Sequence, residues 1–258
     1  MPFTVAHVMA VLPAVRWHER LRLDPTCLVI GSMAPDFEYF ARGELVSTIS
    51  HTVVGLAVWN IPATLILGAL WHFVVKWPVL AALPTAISRR IAPVVGRPWS
   101  EQWSAGAIIG LVVSAVLGAI THLLWDGVTH ASGAITRRFP DLTTPYDVPV
   151  LGELPLHRVI QHVSTAIGLV VIAIYVGLAL RRHPPGAWHP APGRARVRLV
   201  FAACLGLGLA LLAYRMRRMH IADPGSLIAG SISGVLAGLI AASALTRRFA
   251  SELERANR

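Results

Sequence analysis

The sequence predicts an all-α integral membrane protein, a polytopic transmembrane helical bundle of about five spans with short N-terminal interfacial helices. Hydrophobic residues make up 55% of its 258 residues and charged residues only 14%, and the mean hydropathy is +0.60. This balance is far too apolar for an ordinary soluble domain. Five stretches also approach the roughly 20 apolar residues that a helix needs to cross a bilayer. They are 53–75, 104–125, 163–180, 199–214 and 227–246.

The segment before the first span, residues 1–52, mixes short apolar runs with polar residues, and we expect it to stay in the mature chain as a cap. Residues 3–15 predict a short helix with Thr4 as its N-cap. A second apolar piece, 26–33, ends at Ala34-Pro35-Asp36, where the proline ends or restarts a helix. Neither piece is long enough to cross a bilayer, so both are expected at its surface.

The connections between the spans are rich in proline and arginine. Pro62 predicts a kink within the first span. The connection after that span predicts a loop that holds an interfacial helix over 79–92. Residues 127–158 predict a polar connection, and 181–198 a flexible loop.

The whole chain, 1–258, is predicted to form a single integral membrane domain. It divides into the cap (1–52), the transmembrane bundle (53–246) and a charged tail (247–258) that is expected to fray into solvent. Small residues repeat every fourth position in the last span, at Gly230, Gly234 and Gly238. Such a ridge is typical of closely packed membrane helices.

The net charge of +10 indicates contact with anionic lipid headgroups rather than with nucleic acid, because the arginines cluster at the ends of the apolar runs. The lipid bilayer is therefore the expected partner, and the oligomeric state is left open. The Lys/Arg balance of the loops mildly favours a cell-membrane orientation in which the site described below faces outward. Cys27 and Cys204 form neither a disulfide framework nor a thiolate metal pair.

The end of the second apolar run carries the clearest chemical signal, His122, Asp126 and His130. Residues four apart lie on one face of a helix. Imidazole and carboxylate groups are ligands for divalent metals, zinc above all. Ionisable groups at membrane depth are costly and usually functional, so this run predicts a metal site.

Alternating the spans across the bilayer brings more candidate ligands to the same membrane face. These candidates precede the first span or flank the third span, and they are His7, Asp36, His51, His157 and His162. His157 is expected to be structural. The other histidines do not join this predicted group. His72, His183 and His189 fall on the opposite membrane face, and His18 and His220 have no other candidate ligand near them in the predicted topology.

Several motifs resemble an uncharacterised bacterial membrane family, catalogued as domain of unknown function 4184. The motifs are Met-Pro-Phe-Thr-Val-Ala-His7, Ile30-Gly-Ser-Met-Ala-Pro-Asp36-Phe-Glu-Tyr-Phe40, Ser50-His51-Thr52, His122-Leu-Leu-Trp-Asp126 and Gln161-His162-Val-Ser-Thr-Ala-Ile-Gly168. The order of the ligands is also distantly similar to that of membrane-bound metal-dependent hydrolases and zinc-dependent phospholipase C.

That second resemblance implies a metal site built from His7, Asp36, His51, His122 and Asp126, with His130 as the next ligand in order. The phospholipase pattern then has a histidine followed by a glutamate four positions later. This chain has Gln161 at the corresponding place, next to His162. Without that carboxylate, one or two ions, zinc by preference, are expected rather than three.

The resulting hypothesis is a membrane-bound metal-dependent hydrolase that acts on a lipid or phosphoester substrate. Asp36 and Asp126 are its candidate catalytic residues: one bridges two metals and the other orients or deprotonates a water. Arg137 and Arg138 are candidates for holding a phosphate. Two alternatives remain, a structural metal site without catalysis and an ion or metal transporter. The scarcity of polar residues inside the spans counts against transport.

Overall fold

The architecture is that of a helical membrane protein, as seen in a computed structural model that describes residues 3–95, 99, 104–148, 152–182, 194–219 and 224–256. Within these residues, five helices are long and apolar enough to cross a membrane. They are Val53–Ala82, Ala105–Thr129, Leu156–Arg182, Arg194–Tyr214 and Gly225–Arg247. The predicted all-α, multi-pass class is confirmed, and each span begins or ends within two residues of a predicted bound; the third ends as predicted but begins seven residues earlier.

The chain packs as two compact units. Unit 1 comprises 1–37, 48–65 and 102–177, and unit 2 comprises 38–47, 66–101 and 178–258. The first span passes from one unit to the other. The single domain expected from the sequence stays a prediction.

The N-terminal cap begins with a 3₁₀ turn, Thr4–His7, which continues into the helix Val8–Arg16. Thr4 is not the N-cap that the sequence predicted, because Phe3 holds that position without a side-chain bond. The Thr4 hydroxyl instead donates to a carboxylate oxygen of Asp36 over 2.6 Å. A tertiary bond to a buried carboxylate has thus replaced the local capping bond.

The rest of the cap consists of short helices: His18–Leu21, Pro25–Gly31, a 3₁₀ turn at Ala34–Asp36, and Phe37–Arg42. Asp24 caps the second of these by accepting from the backbone N–H of Cys27 over 2.7 Å. Proline at position 35 restarts the chain as a 3₁₀ turn, as expected. This turn carries Asp36 to a fully buried position.

Close backbone contact fixes the cap helix Pro25–Gly31 to the second span. A Cβ atom added to Gly118 would lie 2.6 Å from the carbonyl oxygen of Leu28, and one added to Gly31 would lie 2.8 Å from that of Ala115. The backbone N–H of Asp24 also donates to the hydroxyl of Ser114 over 2.8 Å. Glycine at both facing positions therefore determines how closely these helices approach.

The first span is not a uniform α-helix. It starts at Val53 as α-helix, forms a π-helical turn over Leu56–Asn60, returns to α-helix over Ile61–Leu70, and has a second π-helical turn at Trp71–Val75. The predicted kink at Pro62 therefore falls next to a π-turn, where the backbone already departs from the i→i−4 ladder.

The interfacial helix predicted over 79–92 is wrong in its bounds. The first span continues as helix Lys76–Ala82, and a separate helix, Thr85–Val95, follows Pro84. Proline disfavours α-helix in the residue before it, and Leu83 is extended. The break therefore falls inside the predicted helix.

The connection between the second and third spans is more ordered than the sequence indicated. It contains a short helix, Ala134–Arg138, a 3₁₀ turn, Pro140–Thr143, and an antiparallel hairpin of strands Pro145–Val148 and Gly152–Pro155. In the hairpin, Pro145 pairs with Pro155 and Val148 with Gly152. The third span then starts at Leu156 instead of 163.

Unit 2 is built around the helices Arg194–Met219 and Pro224–Ala256. The predicted glycine ridge is confirmed at two of its three positions. A Cβ atom on Gly234 would lie 3.0 Å from the carbonyl oxygen of Gly208, and one on Gly238 would lie 2.7 Å from that of Cys204. At Gly230 a Cβ would have ordinary contacts of 3.5 Å or more.

Two arginine side chains of unit 2 bind the C-terminal end of the helix Lys76–Ala82. Arg194 donates to the carbonyl oxygen of Ala81 over 3.0 Å and Arg198 to that of Ala82 over 2.9 Å, so both cap the last turn before Pro84.

The expectation that residues 247–258 fray is wrong as far as Ala256, because the helix continues to that residue. Of the loop predicted over 181–198, residues 183–193 lie outside the described part of the chain.

Candidate metal centre

Four side chains from unit 1 converge on one point: Asp36, His51, His122 and Asp126. One ligand atom from each lies within 4.8 Å of all the others. Asp36 ends the 3₁₀ turn of the cap, and His51 directly precedes the first span. His122 and Asp126 are one turn apart on the second span, so their side chains share a helix face.

The spacing of these atoms is that of metal ligands rather than of hydrogen-bond partners. The Nε2 atom of His122 lies 3.4 Å from Asp36 Oδ1 and 3.3 Å from Asp126 Oδ2. The Nε2 atom of His51 lies 3.6 Å and 3.5 Å from the same two oxygens. Hydrogen bonds are shorter than this. Tetrahedral bonds of zinc to nitrogen and oxygen, about 2.0–2.15 Å long, separate neighbouring ligands by about 3.3–3.5 Å.

Several of the converging atoms are buried without a hydrogen-bond partner among the described residues. They include Asp36 Oδ1, His122 Nε2 and Asp126 Oδ1. Leaving buried polar atoms unsatisfied costs about 1–3 kcal/mol each, and more for charged groups. A cation between them would satisfy the carboxylates and the imidazole together. The donor set therefore fits a divalent metal ion.

The outer atoms of the ligands are held in place by hydrogen bonds. His122 Nδ1 lies 2.8 Å from the carbonyl oxygen of Ser32 and donates its proton there, which leaves the lone pair of Nε2 facing the centre. Asp36 Oδ2 accepts from Thr4, which leaves Oδ1 facing the centre. His51 Nδ1 lies 2.9 Å from the Ser50 hydroxyl.

The π-helical turn of the first span binds both ligand-bearing loops. Trp59 Nε1 donates to the carbonyl oxygen of Ala34 over 3.2 Å, and Asn60 Nδ2 donates to that of Ser50 over 2.9 Å. Ala34 and Ser50 lie two residues and one residue before the ligands Asp36 and His51. The sequence did not predict these hydrogen bonds from Trp59 and Asn60, although a lone asparagine in an apolar run was a signal for Asn60.

His7 lies beside the four-residue cluster. Its ring stacks on that of His122, with centroids 3.8 Å apart and planes inclined by 16°. Its Nε2 atom lies 3.5 Å from Asp126 Oδ1. Burial, together with the nearby His122, lowers the pKa of His7 to about 3. The ring is therefore neutral near pH 7, which is the form that binds metals.

Burial and charge act in opposite directions on the remaining ligands outside the spans. Burial alone would raise the pKa of Asp36, but His122 and His51 bring the pKa of this carboxyl well below its usual range. Burial alone would lower the pKa of His51, yet the Asp126 and Asp36 carboxylates raise it. Asp36 is thus a carboxylate at neutral pH, as a ligand must be.

The other predicted ligands are placed differently. His130 lies just past the second span, with Nδ1 3.5 Å from Asp126 Oδ1 and 3.2 Å from the carbonyl oxygen of the same residue. His162 is exposed at the start of the third span and is not a member of the cluster. The expected structural role of His157 fits its 3.0 Å contact with the Leu142 carbonyl oxygen, and Arg137 and Arg138 are exposed.

Three of the remaining histidines, His183, His189 and His220, lie outside the described residues. His72 stacks on Trp99 in unit 2, with ring centroids 4.9 Å apart. His18 lies 2.8 Å from the carbonyl oxygen of Val15. Both have local packing roles in the described structure.

Comparison with known proteins identifies the family and nothing closer. The family model described as Domain of unknown function (DUF4184) matches residues 1–244. No curated protein and no solved structure matches the chain. Because the match covers nearly the whole sequence, the chain belongs to this family.

Proposed function

We propose that this member of a family of unknown function is a membrane-bound, metal-dependent hydrolase whose ion is held by Asp36, His51, His122 and Asp126. One observation carries the proposal: the two imidazole Nε2 atoms each lie 3.3–3.6 Å from both carboxylate oxygens, and all four atoms, from three separate segments, lie within 4.8 Å of one another. Zinc suits two imidazoles and two carboxylates best.

The type of ligand favours catalysis over a purely structural role. Structural zinc sites are commonly built from cysteine thiolates, whereas catalytic sites use histidine and carboxylate ligands. Neither Cys27 nor Cys204 belongs to the cluster. The His51 side chain is 22% exposed although its Nε2 atom is buried, and His122 is fully buried, so a substrate would approach the cluster from the His51 edge.

The two carboxylates have different surroundings, and we assign them different roles. Asp36 is a terminal ligand, because its second oxygen is occupied by the Thr4 hydroxyl. Asp126 contributes Oδ2 to the cluster and presents Oδ1 on the opposite side. A bound zinc ion lowers the pKa of its water to about 7. In a site with one ion, proton transfer from that water is assigned to Asp126, whose Oδ1 has no hydrogen-bond partner among the described residues.

The proposed substrate is a lipid or another phosphoester at the membrane surface, reached on the outward-facing side. Asp36 and His51 lie before the first span, and Asp126 lies one turn from the end of the second. Substrate from the lipid headgroup layer would meet the site there. Arg137 and Arg138, in the short helix Ala134–Arg138, are exposed cations proposed to hold a phosphate, although the Arg137 guanidinium also donates to the Ser132 carbonyl oxygen.

A structural metal site is the second candidate, and the number of ligands favours it. Four protein ligands complete a tetrahedral shell, whereas catalytic zinc usually has three protein ligands and an open position. In that case the ion would join the cap to the second span without turning over a substrate. Metal binding and hydrolysis must therefore be measured separately.

Metal analysis of full-length protein in detergent tests the site itself. We expect bound metal in the wild type, and its loss in His122→Ala and Asp126→Asn. His162→Ala is a matched control, since this histidine is exposed and outside the cluster. Unchanged metal content in both cluster variants would overturn the metal site.

Hydrolysis assays on metal-loaded protein then separate the two candidates. We expect metal-dependent hydrolysis of a soluble phosphodiester or of phospholipid in vesicles. We expect this activity to be lost in Asp126→Asn. Full metal content without hydrolysis of either substrate would favour the structural site.

A further inference from the structure

The cap residues before Asp36 form a helical hairpin, whose arms lie beside the second and third spans. The first arm is Thr4–Arg16 and the second arm is Pro25–Gly31. Both arms, and the parts of the spans that they contact, belong to unit 1. The lengths of the arms predicted a place at the bilayer surface, but their contacts lie deeper. We call residues 3–36 the N-terminal hairpin.

The second half of the hairpin follows the second span over most of its length. At one end, the Arg22 carbonyl oxygen lies 2.6 Å from the position of a Cβ on Gly110. At the other end, the Ser32 carbonyl oxygen lies 2.8 Å from His122 Nδ1. Gly110 and His122 are twelve residues apart, or about 18 Å of helix. Because the span begins at Ala105, Arg22 lies near the end of it that is remote from the metal centre.

The first arm follows the third span in the same way. A Cβ on Gly168 would lie 3.0 Å from the Ala6 carbonyl oxygen. Further along this span, Ile172 and Tyr175 pack against a cluster of buried apolar side chains from both arms. The cluster consists of Val8, Val11, Leu12 and Leu28. The span extends over Leu156–Arg182, so these contacts lie within the helix and not at its start.

The chain reverses direction between the arms through two local features. Arg22 has the left-handed conformation, with φ of 54°, and ends the short helix His18–Leu21. Asp24 then caps the second arm, and its own backbone N–H donates to the Ser114 hydroxyl over 2.8 Å. The polar backbone of the turn is thereby satisfied against the second span, as irregular backbone at membrane depth must be.

Charge is confined to the part of the hairpin remote from the metal centre. Residues 3–15 and 25–35 contain no aspartate, glutamate, lysine or arginine. Residues 16–22, which we call the tip, carry exposed charged side chains; these are Arg16, Glu19, Arg20 and Arg22. Trp17 is also exposed, and the Arg20 guanidinium lies 5.6 Å from the centre of its ring. Tryptophan and arginine favour the boundary between hydrocarbon and headgroups.

We propose that the N-terminal hairpin is embedded in the bilayer beside the second and third spans, and that its tip lies at the membrane face opposite the metal centre. Its partners are lipids: acyl chains along the arms, and anionic headgroups at the three arginines of the tip. This arrangement does not require a bound metal, so it stands or falls separately from the proposed function.

The length of the first arm is sufficient for this placement. Its thirteen residues extend about 20 Å, less than the roughly 30 Å of the hydrocarbon layer. The metal centre, however, lies inside the end of the second span, because His122 precedes Thr129 by seven residues, or about 10 Å. A hairpin that starts at that depth reaches the other face without forming a complete span.

Cysteine labelling with a membrane-impermeant maleimide, in intact and in permeabilised cells, tests the position of the tip. Each full-length variant carries one added cysteine in a Cys204→Ser background, and the background alone is the blank, since Cys27 is buried. Glu19→Cys reports on the tip. Asp147→Cys, exposed in the connection between the second and third spans, marks the metal-centre face. Ala105→Cys, exposed at the start of the second span, marks the opposite face.

We expect Glu19→Cys to share the labelling pattern of Ala105→Cys, with both labelled in intact cells or both only after permeabilisation. Asp147→Cys should show the other pattern. The comparison holds whichever face is cytoplasmic. If Glu19→Cys shares the pattern of Asp147→Cys, the tip lies on the metal-centre face and the proposal is overturned. Labelling of Glu19→Cys only after denaturation also overturns it, because the tip then reaches neither aqueous face.

A nitroxide spin label at Pro13→Cys, in the same background, tests the first arm, where Pro13 is exposed. The labelled protein is placed in vesicles of phosphatidylethanolamine and phosphatidylglycerol. We expect oxygen, which enters hydrocarbon, to relax the label more than a water-soluble nickel chelate does, and the reverse order at Asp147→Cys. Stronger relaxation by the nickel chelate at Pro13→Cys would show that the arm lies in water. A thermal unfolding curve checks that each variant is folded.

Discussion

The Nε2 atom of His122 lies 3.3 Å from the Oδ2 atom of Asp126, one helical turn further along the second span. Both side chains are buried, and His122 is held from behind by the Ser32 carbonyl oxygen. One transmembrane helix thus supplies half of the cluster, while the cap supplies the other half through Asp36 and His51. From this division we predict how substitutions change metal binding, thermal stability and helix packing.

Metal should stabilise the folded protein through His122. A ligand that binds only the native state adds about 2.7 kcal/mol at a hundredfold excess over its Kd. We expect zinc to raise the thermal unfolding temperature of the wild type in detergent, and a chelator to reverse the shift. In His122→Ala the shift should disappear, whereas His162→Ala should keep it. An equal shift in His122→Ala would show that the zinc binds elsewhere.

Asn60 should control metal affinity without being a ligand. Asn60→Leu removes the donor that holds the Ser50 carbonyl oxygen beside His51. Loss of such an outer partner typically costs 10–100-fold, and we expect a fall of about that size in zinc affinity at unchanged stoichiometry. Thr64→Val, one turn further along the same helix, is the control, because the Thr64 hydroxyl has no hydrogen-bond partner among the described residues. Equal affinities in Asn60→Leu and wild type would contradict this role.

The sequence predicted the membrane class and much of the site for a clear physical reason. Span number and placement follow from hydropathy, and the pairing of His122 with Asp126 follows from helical periodicity. Asp36 and His51 were predicted from topology and resemblance, which place them on the same membrane face as His122 and Asp126. Their approach within 4.8 Å depends on tertiary packing that no periodicity encodes.

Contacts between distant segments explain what the sequence did not predict. Thr4 was expected to cap its own helix but bonds to Asp36, 32 residues away. The hairpin of Pro145–Val148 and Gly152–Pro155 carries two prolines and few apolar residues, so it has little strand signal. His162 lies within a family motif, yet helical phase leaves it exposed.

Glycine at 118 should be required for the contact between the cap and the second span. In Gly118→Ala the new Cβ would lie 2.6 Å from two backbone atoms, Leu28 O and Ser32 N. Overpacking of this kind costs about 1–3 kcal/mol. Gly106→Ala, on the same helix, meets nothing within 4 Å and is the matched control. Thermal unfolding in detergent should show a loss of stability for Gly118→Ala only, and equal curves would disprove the close contact.

Cys27 should be unreactive in the folded protein. Burial, helped by Asp24, raises the pKa of the Cys27 thiol far above its usual range, and only the thiolate is nucleophilic. In a Cys204→Ser background we expect alkylation at pH 8.5 to be at least about a hundredfold slower in the native than in the denatured protein. The native rate should also stay low between pH 7 and 9. Rapid native labelling would show that Cys27 is accessible.

The order in which the ligands occur along the chain has a consequence for biosynthesis. The cap, His51 included, emerges from the ribosome first, but Gly31 and Asp36 reach Ala115 and His122 only when the second span has followed. Until that span is inserted, the cap lacks the helix that it approaches most closely, and its carboxylate lacks the His122 imidazole. Insertion of the second span is therefore the step that completes the candidate metal centre, and the proposed function requires metal loading to follow it.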